Sequence, residues 1–185
     1  MNFGNTNKIA LAPYGINTDT WIISDTHFFH QNIGTYCNRP ENWQEMIIQN
    51  WNNCVSSGEI VLHLGDFAFG KKHHFVEMVD KLNGKLLLIQ GNHDRFSQAF
   101  CQSNGVTLIN HSIQFIFDFR TNILFSHYPI VPLEDGWINI HGHIHNTPPP
   151  SEGSNLGSNH INMSVEVRGY HPWKLRDILG KELKI

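Results

Sequence analysis

Long apolar runs are missing from this chain: no stretch approaches the roughly 20 residues needed to cross a bilayer, and no basic segment followed by an apolar one opens it. The expectation is a soluble, cytoplasmic protein with no membrane partner. Positive charge is short as well, with 13 Lys+Arg against 16 Asp+Glu and a formal net charge of -3. The dense basic surface that long nucleic acids favour is absent, which disfavours binding to an extended duplex. Cysteine is scarce: Cys37, Cys54 and Cys101 are odd in number, far apart and without the CxxC pairing of structural zinc sites. Reduced structural thiols are expected. Internal repeats are not found. What the chain does hold in quantity is histidine, 13 residues, the commonest metal ligand and the side chain that titrates nearest neutrality.

At 185 residues and 40% hydrophobic content, one domain spanning 1–185 with a sizeable core is expected. Residues 20–24 (TWIIS) and 59–65 (EIVLHLG) are short apolar runs that end at Asp25 and Asp66, and read as strands. Residues 41–55 and 75–82 carry apolar side chains at helical spacing. A third strand at 86–90 (LLLIQ) runs into Gly91-Asn92-His93-Asp94, with a short helix from about 96 to 102. Such β-α-β-α alternation implies a sheet with helices packed on it. After Gly105 the signal turns to strands at 107–116, 123–126, 137–143 and 161–167, with a closing amphipathic helix at 173–183. Pro148-Pro149-Pro150 followed by 151–158 reads as a stiff turn into a polar surface loop.

Five blocks occur in order: Asp25-Thr26-His27, Gly65-Asp66, Gly91-Asn92-His93-Asp94, Ser126-His127 and Gly142-His143-Ile144-His145. Each sits at or just past a predicted strand, where open α/β sheets form their binding crevices. On an extended strand residues i and i+2 face one side, so Asp25 with His27 and His143 with His145 are expected as pairs aimed at one place. A single divalent ion needs four to six donors, whereas Asp25, His27, Asp66, Asn92, His127, His143 and His145 offer a surplus that argues for two ions sharing a carboxylate. Taken alone, each block reads more readily as a turn with a satisfied polar side chain. Their ordered co-occurrence decides against that.

With these blocks in hand, the chain resembles the calcineurin-like metallophosphoesterase superfamily, whose signature is D-x-H, G-D, G-N-H-D/E, a lone H and G-H-x-H in that order. The run from Asp25 to Ile33 is similar to a small stand-alone branch of bacteria and phages. The resemblance implies an α/β fold, a four-layer α/β/β/α sandwich of two mixed sheets flanked by helices. It implies one ion at Asp25, His27, Asp66 and His145 and another at Asp66, Asn92, His127 and His143, with Asp66 shared. It also implies that His93 faces the leaving group as general acid. Two cations roughly 3.5 to 4 Å apart can bridge a water and bring its pKa toward neutrality, making hydroxide the expected nucleophile. Mixed carboxylate, carbonyl and imidazole donors without thiolate suit Mn best, with Fe, Zn, Ni or Mg as alternatives. Gly65-Asp66-Phe67 departs from the Asp-Arg pair of the protein-phosphatase branch, and GNHD from its GNHE, which disfavours a phosphoprotein substrate.

The function expected is hydrolysis of phosphate esters, with small or nucleotide-like diesters favoured over monoesters because no separate cap is visible. A manganese-dependent nuclease and a non-catalytic metal-binding scaffold are the competing readings, the latter disfavoured because every signature position is filled. Asp94 is balanced between fixing the His93 tautomer and capping the next helix. His30, Asn32 and Arg39 are candidates for phosphate contact, with backbone satisfaction the stronger reading for His30. His63 is expected as a hydrogen-bonded core histidine. His141 has the parity to join His143 and His145, and His73 and His74 begin a helix on a solvated stretch. His111, His160 and His171 match no motif.

Overall fold

Runs of Ile, Leu and Val flanked by polar segments ask for cover on both faces of a sheet, which helices on one side and a second sheet on the other can supply. The computed structural model, which describes residues 13–117, 121–147 and 156–183, reaches that arrangement. The first sheet holds β1 (Trp21–Ile23), β2 (Ile60–His63), β3 (Lys85–Ile89) and β4 (Thr107–Ile109) as parallel neighbours. Its far edge is β9 (Trp173–Lys174), antiparallel to β1, giving the order β4-β3-β2-β1-β9. The register places Ile22 opposite Leu62, and Leu62 opposite Leu87. Between these strands run α1 (Ile33–Tyr36), α2 (Trp43–Cys54), α3 (Lys72–Lys81) and α4 (Gln98–Ser103). In α2 the buried side chains Trp43, Ile47 and Trp51 recur every fourth residue and form one apolar stripe. They meet Ile23, Val61 and Leu88 from one face of the sheet, together with Phe75 and Met78 of α3.

The second sheet, β5 (Ile113–Ile116), β6 (Asn122–Ser126), β7 (Trp137–His141) and β8 (His160–Asn162), pairs β5 antiparallel to β6 and the others parallel. In β5 burial alternates, Ile113 and Phe115 in, Gln114 and Ile116 out, as expected for a strand with one wet face. Ile22, Leu62, Leu64 and Ile89 of the first half pack against Phe115, Ile123, Phe125 and Ile140 in a shared core, and α5 (Leu175–Leu183) adds Leu175, Ile178 and Leu179. This is the fold the sequence implies: two mixed sheets with flanking helices. No helix among the described residues is long and apolar enough to cross a membrane.

Four local expectations change. The run 107–116 is two strands in different sheets, because Asn110-His111-Ser112 is polar and carries the chain from one sheet to the other. The run 161–167 is a strand only to Asn162, after which Val165–Val167 forms a 3-10 turn. Trp173 and Lys174, read as the start of the closing helix, are instead β9, whose pairing closes the edge of the first sheet. The run 137–143 leaves the strand at His141. The expected turn at 148–150 and the loop at 151–158 lie outside the described residues, save for 156–158.

Candidate metal centre

Every motif block follows the carboxyl end of a parallel strand: β1 leads to Asp25 and His27, β2 to Asp66, β3 to Asn92 and His93, β6 to His127, and β7 to His143 and His145. Within each rim the blocks are stitched by backbone, with Asp25 N–H donating to Gly65 O at 3.0 Å in the first sheet and Gly142 N–H to His127 O at 3.0 Å in the second. Pairing by strand parity is not what aims the side chains. Asp25, His27, Asp66, His143 and His145 all lie past their strands with φ between 50° and 72°. Left-handed backbone at a non-glycine residue costs on the order of 1–3 kcal/mol, so five such residues at one rim mark a place where the surrounding fold overrides local preference.

Small residues let the blocks approach. A Cβ on Gly65, at φ 110°, would sit 2.5 Å from His127 Nδ1. One on Gly91 would strike the Asp66 carboxylate, and one on Gly142 the Ser24 hydroxyl and the Asp25 carboxylate. The glycine in three of the five motif blocks therefore has a steric cause.

The donors converge. Asp66 Oδ2 lies 3.3 Å from His27 Nε2 and 3.5 Å from His127 Nε2. Asp25 Oδ1 lies 4.0 Å from His27 Nε2 and 3.9 Å from His145 Nε2. Asn92 Oδ1 is 2.9 Å from His127 Nε2 and 3.1 Å from His143 Nδ1. Outward hydrogen bonds fix which ring nitrogen offers a lone pair. His127 Nδ1–H donates to Leu64 O at 2.9 Å, and His145 Nδ1–H to Glu166 Oε1 at 3.0 Å, leaving both Nε2 atoms turned inward. His27 is buried, and neither of its ring nitrogens is hydrogen-bonded among the described residues. Acceptors thus face acceptors, an arrangement that suits a cation between them. Asp25, His27 and His145 form one group whose ligand atoms all lie within 4.8 Å of one another, and Asp25, Asp66 and His127 a second.

Electrostatics point the same way. Burial, then the neighbouring Asp25 carboxylate, pushes Asp66 up to about 8, the mark of a carboxylate whose charge is uncompensated. Burial drives His27 far below the ordinary histidine value, with His145, Arg39 and His93 adding to it. Burial also opposes protonation of His145, but contacts with Cys37, Glu166 and Asp25 outweigh it and carry that ring up to about 10. A divalent cation would relieve these opposed demands together, and the donor set, oxygen and imidazole nitrogen from two carboxylates, one amide and four histidines, suits one.

The supports lie partly outside the motifs. Among the described residues the Asp94 carboxylate makes no hydrogen bond to the His93 ring, and the N-cap of α4 is Ser97. The Asp94 carboxylate accepts from the backbone N–H of Asp66 at 2.7 Å, Phe67 at 3.0 Å and Gly91 at 2.9 Å, joining two motif loops. Arg39 is buried and committed: it donates to the carbonyls of Asp25 (2.7 Å) and Thr26 (2.8 Å) and to Glu166 (2.5 Å), so it is no phosphate anchor. Glu166 was not visible from sequence, since it sits in an apolar run with no motif around it. Ser164, which donates to Asp25 Oδ2 at 3.0 Å, is equally unmarked.

His93 is half-buried, its backbone N–H donating to Asp66 Oδ1 at 2.8 Å and its ring 5.2 Å from that of His27. His30 Nδ1 accepts from Ile33 N–H at 3.0 Å while its ring lies 5.7 Å from His93. Asn32 is exposed, away from these contacts. His63 is a core histidine, accepting from Gly65 N–H and paired with the Thr26 hydroxyl at 3.0 Å. His141 is buried and donates to Gly142 O, outside the cluster. His74 is not simply solvated: it stacks on Phe29 at 4.2 Å.

A family model described as calcineurin-like phosphoesterase matches residues 19–178. An uncharacterized protein of Methanocaldococcus jannaschii, MJ1445, is 38% identical over 173 residues, covering 87% of this chain and 89% of that one. The Gene 66 protein of Mycobacterium phage L5 is 24% identical over 161 residues, covering 69% and 78% respectively. Among solved structures, the protein of unknown function AQ665 from Aquifex aeolicus is similar with a TM-score of 0.66 at 25% identity, covering 86% of this chain and 96% of its own.

Proposed function

The chain belongs to the calcineurin-like phosphoesterase family, a family of metal-dependent phosphoester hydrolases, and from that premise we propose that it cleaves small or nucleotide-like phosphodiesters with manganese as its working metal. The observation that carries this reading is the convergence of carboxylate oxygens and imidazole nitrogens from both sheets around Asp25 and Asp66, with His27 carrying no hydrogen bond on either ring nitrogen among the described residues. One ion would be held by Asp25, His27, Asp66 and His145, the other by Asp66, Asn92, His127 and His143. Divalent ions held there would supply a water activated near neutral pH and would offset charge on the phosphoryl oxygens.

The protein's own residues do the rest. Glu166 and Leu64 O orient His145 and His127 by holding their outer N–H groups, which is how ligand geometry is kept ready. His93 is the proton donor to the departing oxygen. Its ring is free of hydrogen bonds among the described residues, and burial, His30 and Arg95 hold its proton affinity below the ordinary value, which makes its imidazolium a stronger acid. An anionic ester beside it restores the protonated form. Preference for diesters is supported by an open rim with a wall on either side: Tyr128, 47% exposed, beside His143 at 4.2 Å, and Phe69, 39% exposed, beside His93 at 5.7 Å. Each substituent of a diester finds one. The three cysteines carry no disulfide, in keeping with a reducing, cytoplasmic setting.

The test is elemental analysis with turnover of bis(p-nitrophenyl) phosphate and p-nitrophenyl phosphate. Asp66→Asn should lower metal content and turnover together. Two ions per chain retained in that variant would overturn the shared-ligand assignment, and a fully loaded wild-type protein inert toward both esters would overturn the phosphoesterase reading.

A further inference from the structure

Beside the metal centre, on the His93 side, lies a cavity of about 340 Å³ lined by His30, Phe69, Gly70, His93, Arg95 and Phe96. We propose that this cavity receives the leaving half of the substrate, and that this half is a nucleotide: an aromatic base against Phe69 and His30, and an anionic group of its own on Arg95. The assignment of sides rests on the proposed role of His93, since a proton donor must touch the oxygen that departs.

The chemistry of the wall selects the occupant. Phe69 and His30 stand with ring centroids 4.3 Å apart at 63°, an aromatic corner, and Phe69 is left 39% exposed. Phe96 closes the floor, buried. A flat ring laid there gains stacking and apolar burial that an alkyl alcohol cannot match. Arg95 is exposed and forms no ion pair or hydrogen bond with the described residues, whereas Arg39, Arg168 and Arg176 are each paired with a carboxylate. An unpaired guanidinium on a cavity wall offers its fork of donors to a phosphate or carboxylate. The volume is at the low end of the roughly 300–1,000 Å³ of small-molecule sites, enough for one nucleotide unit.

Binding is measured first on the metal-free protein, where ions cannot capture phosphate, with AMP, adenosine and methyl phosphate as probes. AMP should bind at least tenfold more tightly than methyl phosphate. Arg95→Ala should lower the AMP-to-adenosine affinity ratio by roughly ten- to a hundredfold, the worth of charge-assisted hydrogen bonds. Phe69→Ala should weaken both nucleoside ligands by roughly tenfold. Turnover is then compared for manganese-loaded enzyme on thymidine 5′-phosphate diesters whose leaving alcohol is methanol, adenosine or AMP, with kcat/KM rising in that order and the spread collapsing in Arg95→Ala. Equal affinities, or equal kcat/KM across the three esters, overturn the proposal. AMP bound at the cavity by an enzyme inert to all esters overturns the leaving-group assignment through the phosphoesterase reading instead.

Discussion

Replacing Glu166 by Gln keeps the volume and removes one charge, and the structure allows both consequences to be sized. Glu166 Oε1 accepts from His145 Nδ1–H at 3.0 Å and from Arg39 Nε at 2.8 Å, with the Glu166 side chain 2% and that of Arg39 0% exposed. Loss of a carboxylate that orients a ligating histidine typically weakens metal affinity 10- to 100-fold, about 1.4–2.7 kcal/mol. Leaving a buried guanidinium without its counter-charge costs about 3–5 kcal/mol. The carbonyls of Asp25 and Thr26 still accept from Arg39, so the lower end is expected, against a total stability of about 5–15 kcal/mol. The variant therefore folds. Urea unfolding of the metal-free protein reads the first loss, and competition for manganese with a chromophoric chelator reads the second. Glu182→Gln, which breaks the exposed pair with Arg168, serves as control and should cost at most about 1 kcal/mol. A lowered urea midpoint with manganese affinity within twofold of wild type would refute the claim that Glu166 aims His145.

Three further outcomes are expected. His93→Ala should keep its ions while turnover of an ester with a poor leaving group falls by roughly 10² to 10⁴, checked by steady-state kinetics beside elemental analysis. Gly142→Ala drives a methyl into Ser24 and the Asp25 carboxylate and should cost about 1–3 kcal/mol along with metal occupancy, both measurable on the purified variant. Metal-free protein should be most stable near pH 6.5. Asp66 and His145 have folded values raised to about 8 and about 10, so they bind more protons folded than unfolded and their contribution is lost as pH rises through those values. His63 and His141 are lowered by burial to about 3 and about 4, and His27 is lowered too, so stability falls as pH drops below 6.5. Thermal unfolding from pH 4 to 10 that shows no loss on the alkaline side would contradict the first half of this, and manganese should remove the Asp66 part of it.

Much of the architecture was legible because burial leaves marks that periodicity records: β-branched runs for β1 to β3, and Trp43, Ile47 and Trp51 every fourth residue for α2. Where polarity interrupts a run without a glycine or proline, as at Asn110-His111-Ser112, sequence offers no reason to divide one strand between two sheets. At the centre the residue types were legible and their aim was not. Left-handed backbone at His27, His143 and His145 is imposed by tertiary contacts such as His27 N–H to Asp66 O at 2.9 Å and His143 N–H to the Asp25 carboxylate, which no propensity foretells. Glu166 and Arg39 meet across 127 positions and Asp94 reaches Asp66 across 28, beyond any local pattern.

The donor atoms come from both sheets: Asp25, His27, Asp66 and Asn92 from one, His127, His143 and His145 from the other. Ion capture and adhesion of the two halves are therefore thermodynamically coupled. Any strain that prises the halves apart would loosen ions held by this donor set, and by reciprocity such ions would brace the seam by the same free energy. A cation held there would be a tie-rod as well as a reagent, and starvation for it would be felt as mechanical softness along the sandwich.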